Sequence, residues 1–242
     1  MKHHCLILVA ITISATLGAP RKGRIYGGDA AAPGQFPSIV SINDPVQFCD
    51  GSIVSKNWVV TAAHCVDVVT STTTIIAGTN LANSGGTTHK VAKWINHEDY
   101  DPTALINDIG LIQIEDEFEF DDVTQPTEFV DPAVNATCSV AGWGETDTVE
   151  FPEELQFVEQ TVFSFETCKS FVGGDLAEGQ TCAFSVEGKG LCIGDSGGPL
   201  VCEGKLAGIA SFIIEGCGKD NPDFYTKTAP YVDWINKNIQ AK

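Results

Sequence analysis

The chain has 242 residues, 43% of them hydrophobic, and its 14 Lys and Arg against 32 Asp and Glu leave a formal charge of −18. That length suits one large domain or two small ones sharing a core, and 13 Phe, 24 Gly and 11 Pro argue against both disorder and a coiled coil. So acidic a chain repels phosphate backbones, which argues against nucleic acid as a partner.

The N-terminus carries Lys2 and two histidines ahead of an apolar run over 6–13, with small residues at Ala15, Gly18 and Ala19. This is the pattern of a secretory signal peptide, residues 1–18, and the run is too short to anchor in a bilayer. Export governs how the cysteines read. Cys5 leaves with the signal, and eight remain at Cys49, Cys65, Cys138, Cys168, Cys182, Cys192, Cys202 and Cys217. An even set in an oxidising compartment points to disulfides, with the pairing open on spacing alone. Zinc would need clustered ligands, which the spacing does not offer, and His89 and His97 stand apart from other ligand types.

Further along, short segments rich in Val, Ile, Thr and Phe recur between Gly, Pro, Asn and Asp clusters, at 38–42, 58–62, 73–77, 109–114, 137–141, 156–163, 199–202 and 206–212. Their spacing predicts an antiparallel all-β architecture of barrels or sandwiches. The acidic stretch 115–131 has few strand-like runs and is the expected linker between two halves. Asn135-Ala136-Thr137 is a glycosylation sequon, usable at Asn135 if exposed in a eukaryotic secretory pathway. At the C-terminus, Pro230 precedes Tyr231, Trp234 and Ile235 at helical spacing, which predicts a docked amphipathic helix.

Three segments carry chemistry. Gly194-Asp195-Ser196-Gly197-Gly198-Pro199 is a tight turn able to expose a nucleophilic hydroxyl beside free backbone N–H groups. Read alone it is also an ordinary Gly/Ser turn before a strand. Thr61-Ala62-Ala63-His64-Cys65 ends an apolar strand on a histidine, which by itself suits a structural role as well as a general base. Asn107-Asp108-Ile109-Gly110 places a carboxylate at the mouth of another strand, where a turn-capping role is the plainer reading. Together they offer nucleophile, base and orienting acid, in the chain order His64, Asp108, Ser196.

On these motifs, and on Arg24-Ile25-Tyr26-Gly27-Gly28 and Gly142-Trp143-Gly144 in compatible order, the chain from Arg24 to its last helix resembles the chymotrypsin/trypsin-like serine endopeptidases. The resemblance implies two packed six-stranded antiparallel β-barrels with a C-terminal α-helix, about 25–125 and 126–242. It implies His64, Asp108 and Ser196 as the catalytic triad, and the N–H groups of Gly194 and Ser196 as the oxyanion hole. It also implies the bridges Cys49–Cys65, Cys138–Cys202, Cys168–Cys182 and Cys192–Cys217. In such enzymes residues 19–24 form an activation propeptide: a cut after Arg24 frees the Ile25 amine to pair with Asp195. Residues 1–24 hold four basic and no acidic residues, so the mature chain would be more acidic still.

The implied specificity pocket comprises Gly190, Leu191, Ile193, Ser211, Phe212, Ile213 and Asp223. Gly190 stands where trypsins carry an Asp and cannot neutralise a basic side chain, while Ile213 narrows the entrance. Cleavage after apolar residues is therefore expected, and Asp223 supports the alternative of tryptic or broad specificity. A second alternative is a catalytically silent binding protein on the same fold, disfavoured because all three triad types are present. The calcium loop of some relatives corresponds to 78–91, which here has no Asp or Glu, so no metal and no cofactor is expected. Expected partners are protein or peptide substrates, an activating trypsin-like protease and protein inhibitors. The chain is expected to be a secreted monomer, free of membrane.

Overall fold

A computed structural model describes residues 25–146 and 152–240. Residues 1–24, the expected signal peptide and activation propeptide with Arg24, lie outside the described residues. The fold is two closed six-stranded antiparallel barrels followed by a C-terminal helix. The first barrel takes β2 (Ile39–Asn43), β3 (Gln47–Ser55), β4 (Trp58–Thr61), β5 (Thr74–Ala77), β6 (Thr87–Asn96) and β7 (Gly110–Ile114), in the order β2-β3-β4-β7-β6-β5, closed by β2 on β5. The second takes β8 (Thr137–Gly142), β9 (Gln156–Val162), β10 (Gln180–Phe184), β11 (Pro199–Cys202), β12 (Lys205–Phe212) and β13 (Asp223–Lys227). Its ring runs β8-β9-β10-β13-β12-β11 and closes through β11 on β8, while the two-residue β1 (Asp29–Ala30) adds to the outside of β9.

Closure explains which strands the hydrophobic pattern revealed. β2, β4 and β7 are apolar and almost wholly buried, because each barrel removes sheet edges and fills its bore with side chains. β6, in contrast, is exposed along most of its length and β3 carries Gly51 and Cys49 in its middle, so neither stands out as a strand. β10 and β13 are likewise absent from the sequence expectation, and both are short and buried. Helix α2 (Phe165–Phe171) also escapes the pattern; Ser164 caps it by accepting the Thr167 N–H at 3.2 Å.

The stretch 115–131 contains no strand and runs from the first barrel to the second, where Phe129 makes a parallel bridge to Leu206. The last helix, α3 (Val232–Gln240), is preceded by a single 3-10 turn over Ala229–Tyr231 with Pro230 in its opening positions. Its Ile235, with Tyr231, joins the core that Ile53, Val59, Leu111 and Ile112 build inside the first barrel. The C-terminal helix therefore fastens one barrel to the other. Ile112, fully buried in β7, offers a direct measure of that core: Ile112→Ala is expected to cost about 2–5 kcal/mol, read as a fall in the denaturant midpoint.

The four disulfides join Cys49 to Cys65, Cys138 to Cys202, Cys168 to Cys182 and Cys192 to Cys217. Cys49–Cys65 ties β3 to the short helix α1 (Ala63–Val66), which contains His64.

Candidate active site

Barrel register brings His64 and Asp108 together. β4 and β7 run antiparallel with Thr61 opposite Gly110, so the residues just beyond β4 and just before β7 leave the barrel at the same rim. Asp108 is fully buried there, and three donors converge on its carboxylate. The His64 backbone N–H donates to Oδ1 at 3.0 Å, His64 Nδ1 to Oδ2 at 2.8 Å, and Ser211 Oγ to Oδ2 at 2.6 Å. Thr226 Oγ1 donates to the Asp108 carbonyl at 2.9 Å, so the second barrel holds the acid as well. Fixing Nδ1 as the donor leaves Nε2 as an acceptor facing the cleft.

Ser196 comes from the other barrel, on the turn that enters β11. The Asp50 N–H donates to the Ser196 carbonyl at 2.8 Å, and the Gly197 N–H to the Ala210 carbonyl at 2.8 Å. Gly197 sits at φ +78, where any Cβ would collide with Thr61 Oγ1 and the Asp50 carbonyl. This turn must be glycine for the two barrels to meet so closely. The backbone N–H groups of Gly194 and Ser196 donate to nothing among the described residues, although their neighbours Asp195, Gly197 and Gly198 all do. Ser196 Oγ makes no hydrogen bond to the His64 ring; such contacts commonly tighten only with substrate in place.

His64 and Ser196 face one cavity of about 450 Å³ between the barrels. Leu191, Ile193, Ser211, Phe212 and Ile213 line it, and so do Phe48 and Val68, which sequence patterns did not single out. Ile193 is 67% exposed, a large apolar side chain standing free at the mouth. Phe212 is held flat against Phe224, ring centroids 4.5 Å apart.

Gly190 and Asp223 are not among the walls of that cavity. They lie against each other, Asp223 Oδ2 standing 2.6 Å from where a Cβ on Gly190 would be. Asp223 is buried and accepts from Gln160 Nε2 at 2.5 Å and from the Leu191 N–H at 2.8 Å, while the Tyr225 hydroxyl donates to Gln160 Oε1 at 2.7 Å. Burial, only partly offset by those two donors, raises its pKa to about 7. Asp195 is fully buried behind Ser196, where Gly144 and Cys192 donate their N–H groups to it at 2.7 and 2.8 Å. Ile25 is fully buried too, in the core cluster that contains Leu191 and Ala210. The one close group of metal-ligand types among the described residues is Cys49, His64 and Cys65, and its two sulfurs are consumed by their disulfide.

A cleft between two barrels, with a carboxylate-bound histidine facing a serine, defines a class of hydrolase. The chain also matches the family model for trypsin over residues 25–235. It is 33% identical over 245 residues to serine protease 1 of Homo sapiens, covering 97% of this chain and 98% of that protein. Its identity to chymotrypsin-2 of Vespa crabro is 36% over 219 residues, covering 88% and 99%. The solved structure of neuropsin, a serine protease expressed in the limbic system of mouse brain, superposes with a TM-score of 0.82 at 32% identity, covering 88% of this chain and 99% of that one. The chain belongs to the chymotrypsin/trypsin family of serine proteases. It is a serine endopeptidase acting on protein substrates.

Proposed function

We propose that the protein is a secreted zymogen whose activated form cleaves after apolar residues with Ser196 as nucleophile, His64 as general base and acid, and Asp108 as the orienting carboxylate. The arrangement that carries this reading is Asp108 gripping both the ring and the main chain of His64 at the cavity that also holds Ser196. Ser196 Oγ attacks the scissile carbonyl as His64 Nε2 takes its proton. The Gly194 and Ser196 N–H groups receive the oxyanion. The departing amine then takes the proton from His64, leaving an acyl-enzyme that water hydrolyses by the same exchange. Residues 211–213 pair with the substrate backbone as an added strand.

Residues 1–18 direct export and 19–24 are removed by a trypsin-like protease cutting after Arg24, leaving a mature chain 25–242 with barrels at about 25–125 and 126–242. Asn135 is exposed at φ +66 on the loop before β8, which suits it for glycosylation. The chain acts as a monomer, and protein inhibitors are its natural antagonists.

Preference before the scissile bond follows from Leu191, Ile193, Phe212 and Ile213 as walls and from the charge of Asp223, which lies behind that wall with its carboxyl accepting the Leu191 N–H. With its pKa near 7, Asp223 is largely neutral in mildly acid solution and charged in alkaline solution. A basic side chain gains from it only when it is charged. A peptide library varied at the residue before the cut is expected to favour apolar residues about 10-fold or more at pH 6. The Lys-to-Leu ratio of kcat/KM should rise as pH passes about 7; taking the ratio cancels the titration of the catalytic groups. Dominant cleavage after Lys or Arg across the whole range would overturn the apolar reading.

A further inference from the structure

Gln47 and Asp50, both in β3, belong neither to the His64–Asp108 pair nor to the cavity wall, yet they grip the loop that carries Gly194. Gln47 is buried and anchored by its own N–H, which donates to Asn83 Oδ1 at 2.8 Å. Its side-chain NH2 donates in two directions, to Asp50 Oδ1 at 2.8 Å and to the Gly194 carbonyl at 2.7 Å. Asp50 is fully buried, and its other oxygen accepts the Trp143 N–H at 3.3 Å. The neighbouring N–H, of Gly144, goes to Asp195. Two carboxyl groups thus lie side by side, both against the position a Cβ on Gly142 would take. No Lys, Arg or His pairs with either among the described residues.

Adjacent buried carboxyls are costly, so what the second one holds matters. Gly194 sits at φ +99 and has no side chain to restrain the peptide planes around it. Both ends of the Gly194–Asp195 peptide are instead tied by partners: the Asp195 N–H donates to the Cys192 carbonyl at 3.1 Å, and the Gly194 carbonyl accepts from Gln47. A carboxyl at position 50 draws one amide hydrogen and aims the other at that carbonyl.

We propose that Asp50 is a positioning residue for the oxyanion-binding loop, acting through Gln47 to fix the Gly194–Asp195 peptide and so the direction of the N–H groups on either side. The proposal rests on the reading of the Gly194 and Ser196 N–H groups given above. Asp50→Asn keeps the size but turns one acceptor into a donor, and Gln47→Met keeps the length but removes the strut. Each is expected to lower kcat about 10-fold, the worth of one buried hydrogen bond, with KM changed less than about two-fold.

The same variants should weaken a peptidyl trifluoromethyl ketone, whose adduct places an oxyanion in the hole, by about the same factor. A non-covalent product peptide should bind as before. The double variant should lose little more than either single one, because both break one relay. If Asp50→Asn fails to fold, Gln47→Met leaves both carboxyls in place and decides the question by the same measurements. Unchanged kcat in folded variants, or a parallel rise in KM and in the product inhibition constant, would overturn the proposal while Ser196-dependent catalysis stood. A Ser196→Ala enzyme that kept its activity would instead overturn the reading of the site and this proposal together.

Discussion

Replacing Ser196 with alanine is expected to lower kcat by about 10⁶-fold while leaving the protein folded, and to abolish labelling by a fluorophosphonate probe that modifies the native enzyme. The magnitude follows from how such sites work as a unit. Removing the nucleophile or the base alone costs nearly as much as removing the whole triad, and residual catalysis of about 10³–10⁴ over water comes from the oxyanion donors and binding. His64→Ala should therefore fall as far as Ser196→Ala, and the two together no further. Asp108→Asn should cost about 10⁴, because the ring would lose the partner that makes Nδ1 the donor. The fold tolerates Ser196→Ala because the turn is held by its backbone, through the Asp50 N–H and Gly197 N–H bonds, and not by the hydroxyl. A Ser196→Ala protein that retained more than a few per cent of native activity would remove the basis for the mechanism.

Blocking cleavage with Arg24→Gln is expected to hold activity about two to three orders of magnitude below that of the cut enzyme, and to leave a fold that weakens as pH rises. The cause lies at Asp195. Among the described residues this fully buried carboxyl accepts from the N–H groups of Gly144 and Cys192 and meets no cation, with Asp50 beside it. Burial lifts Asp195 to about 7, and burial together with the Asp195 charge lifts Asp50 well above the usual carboxylate range.

Both folded-state values exceed those of the unfolded chain, so the folded state binds more protons. For Asp195 the associated stability is full below pH 4 or so and is lost as pH rises through about 7, and the upward shift of Asp50 acts in the same direction. For Asp195 alone the shift is worth on the order of 4 kcal/mol, and Asp223 acts in the same direction. An ammonium freed at Ile25 would offset much of this, since leaving a buried charge without its partner typically costs about 3–5 kcal/mol. Melting curves of uncut and cut protein between pH 5 and 8 should diverge, the uncut form falling faster. Equal hydrolysis rates for Arg24→Gln and cut enzyme would end the activation reading.

The sequence made part of this legible, for reasons seen in particular segments. The strands β2, β4, β7, β11 and β12 are short apolar runs between turn residues, and their burial in closed barrels makes that local pattern dependable. β6 is mostly solvent-exposed along ten residues, and β3 is interrupted by Gly51 and Cys49, so their strand character comes from pairing partners and not from composition. Candidate site residues divide in the same way. His64, Asp108 and Ser196 sit in segments whose residue types are dictated by local needs: a strand end, a strand mouth and a turn that only glycine can make. The walls Phe48 and Val68 flank a disulfide and a short helix with no chemical signature of their own.

What the amino-acid order settles is therefore the inventory: an imidazole, a carboxylate and a hydroxyl in the right kinds of local structure, a glycine at position 190 and a set of cysteines that can be satisfied in pairs. Tertiary structure alone decides the wiring among them. Gln47 meets the Gly194 carbonyl across 147 positions of sequence, and Ser211 meets Asp108 across 103. Such contacts leave no periodic trace, because they arise where the registers of two separately closed barrels bring their rims together. A buried hydrogen-bond donor can find its acceptor only after both barrels have formed.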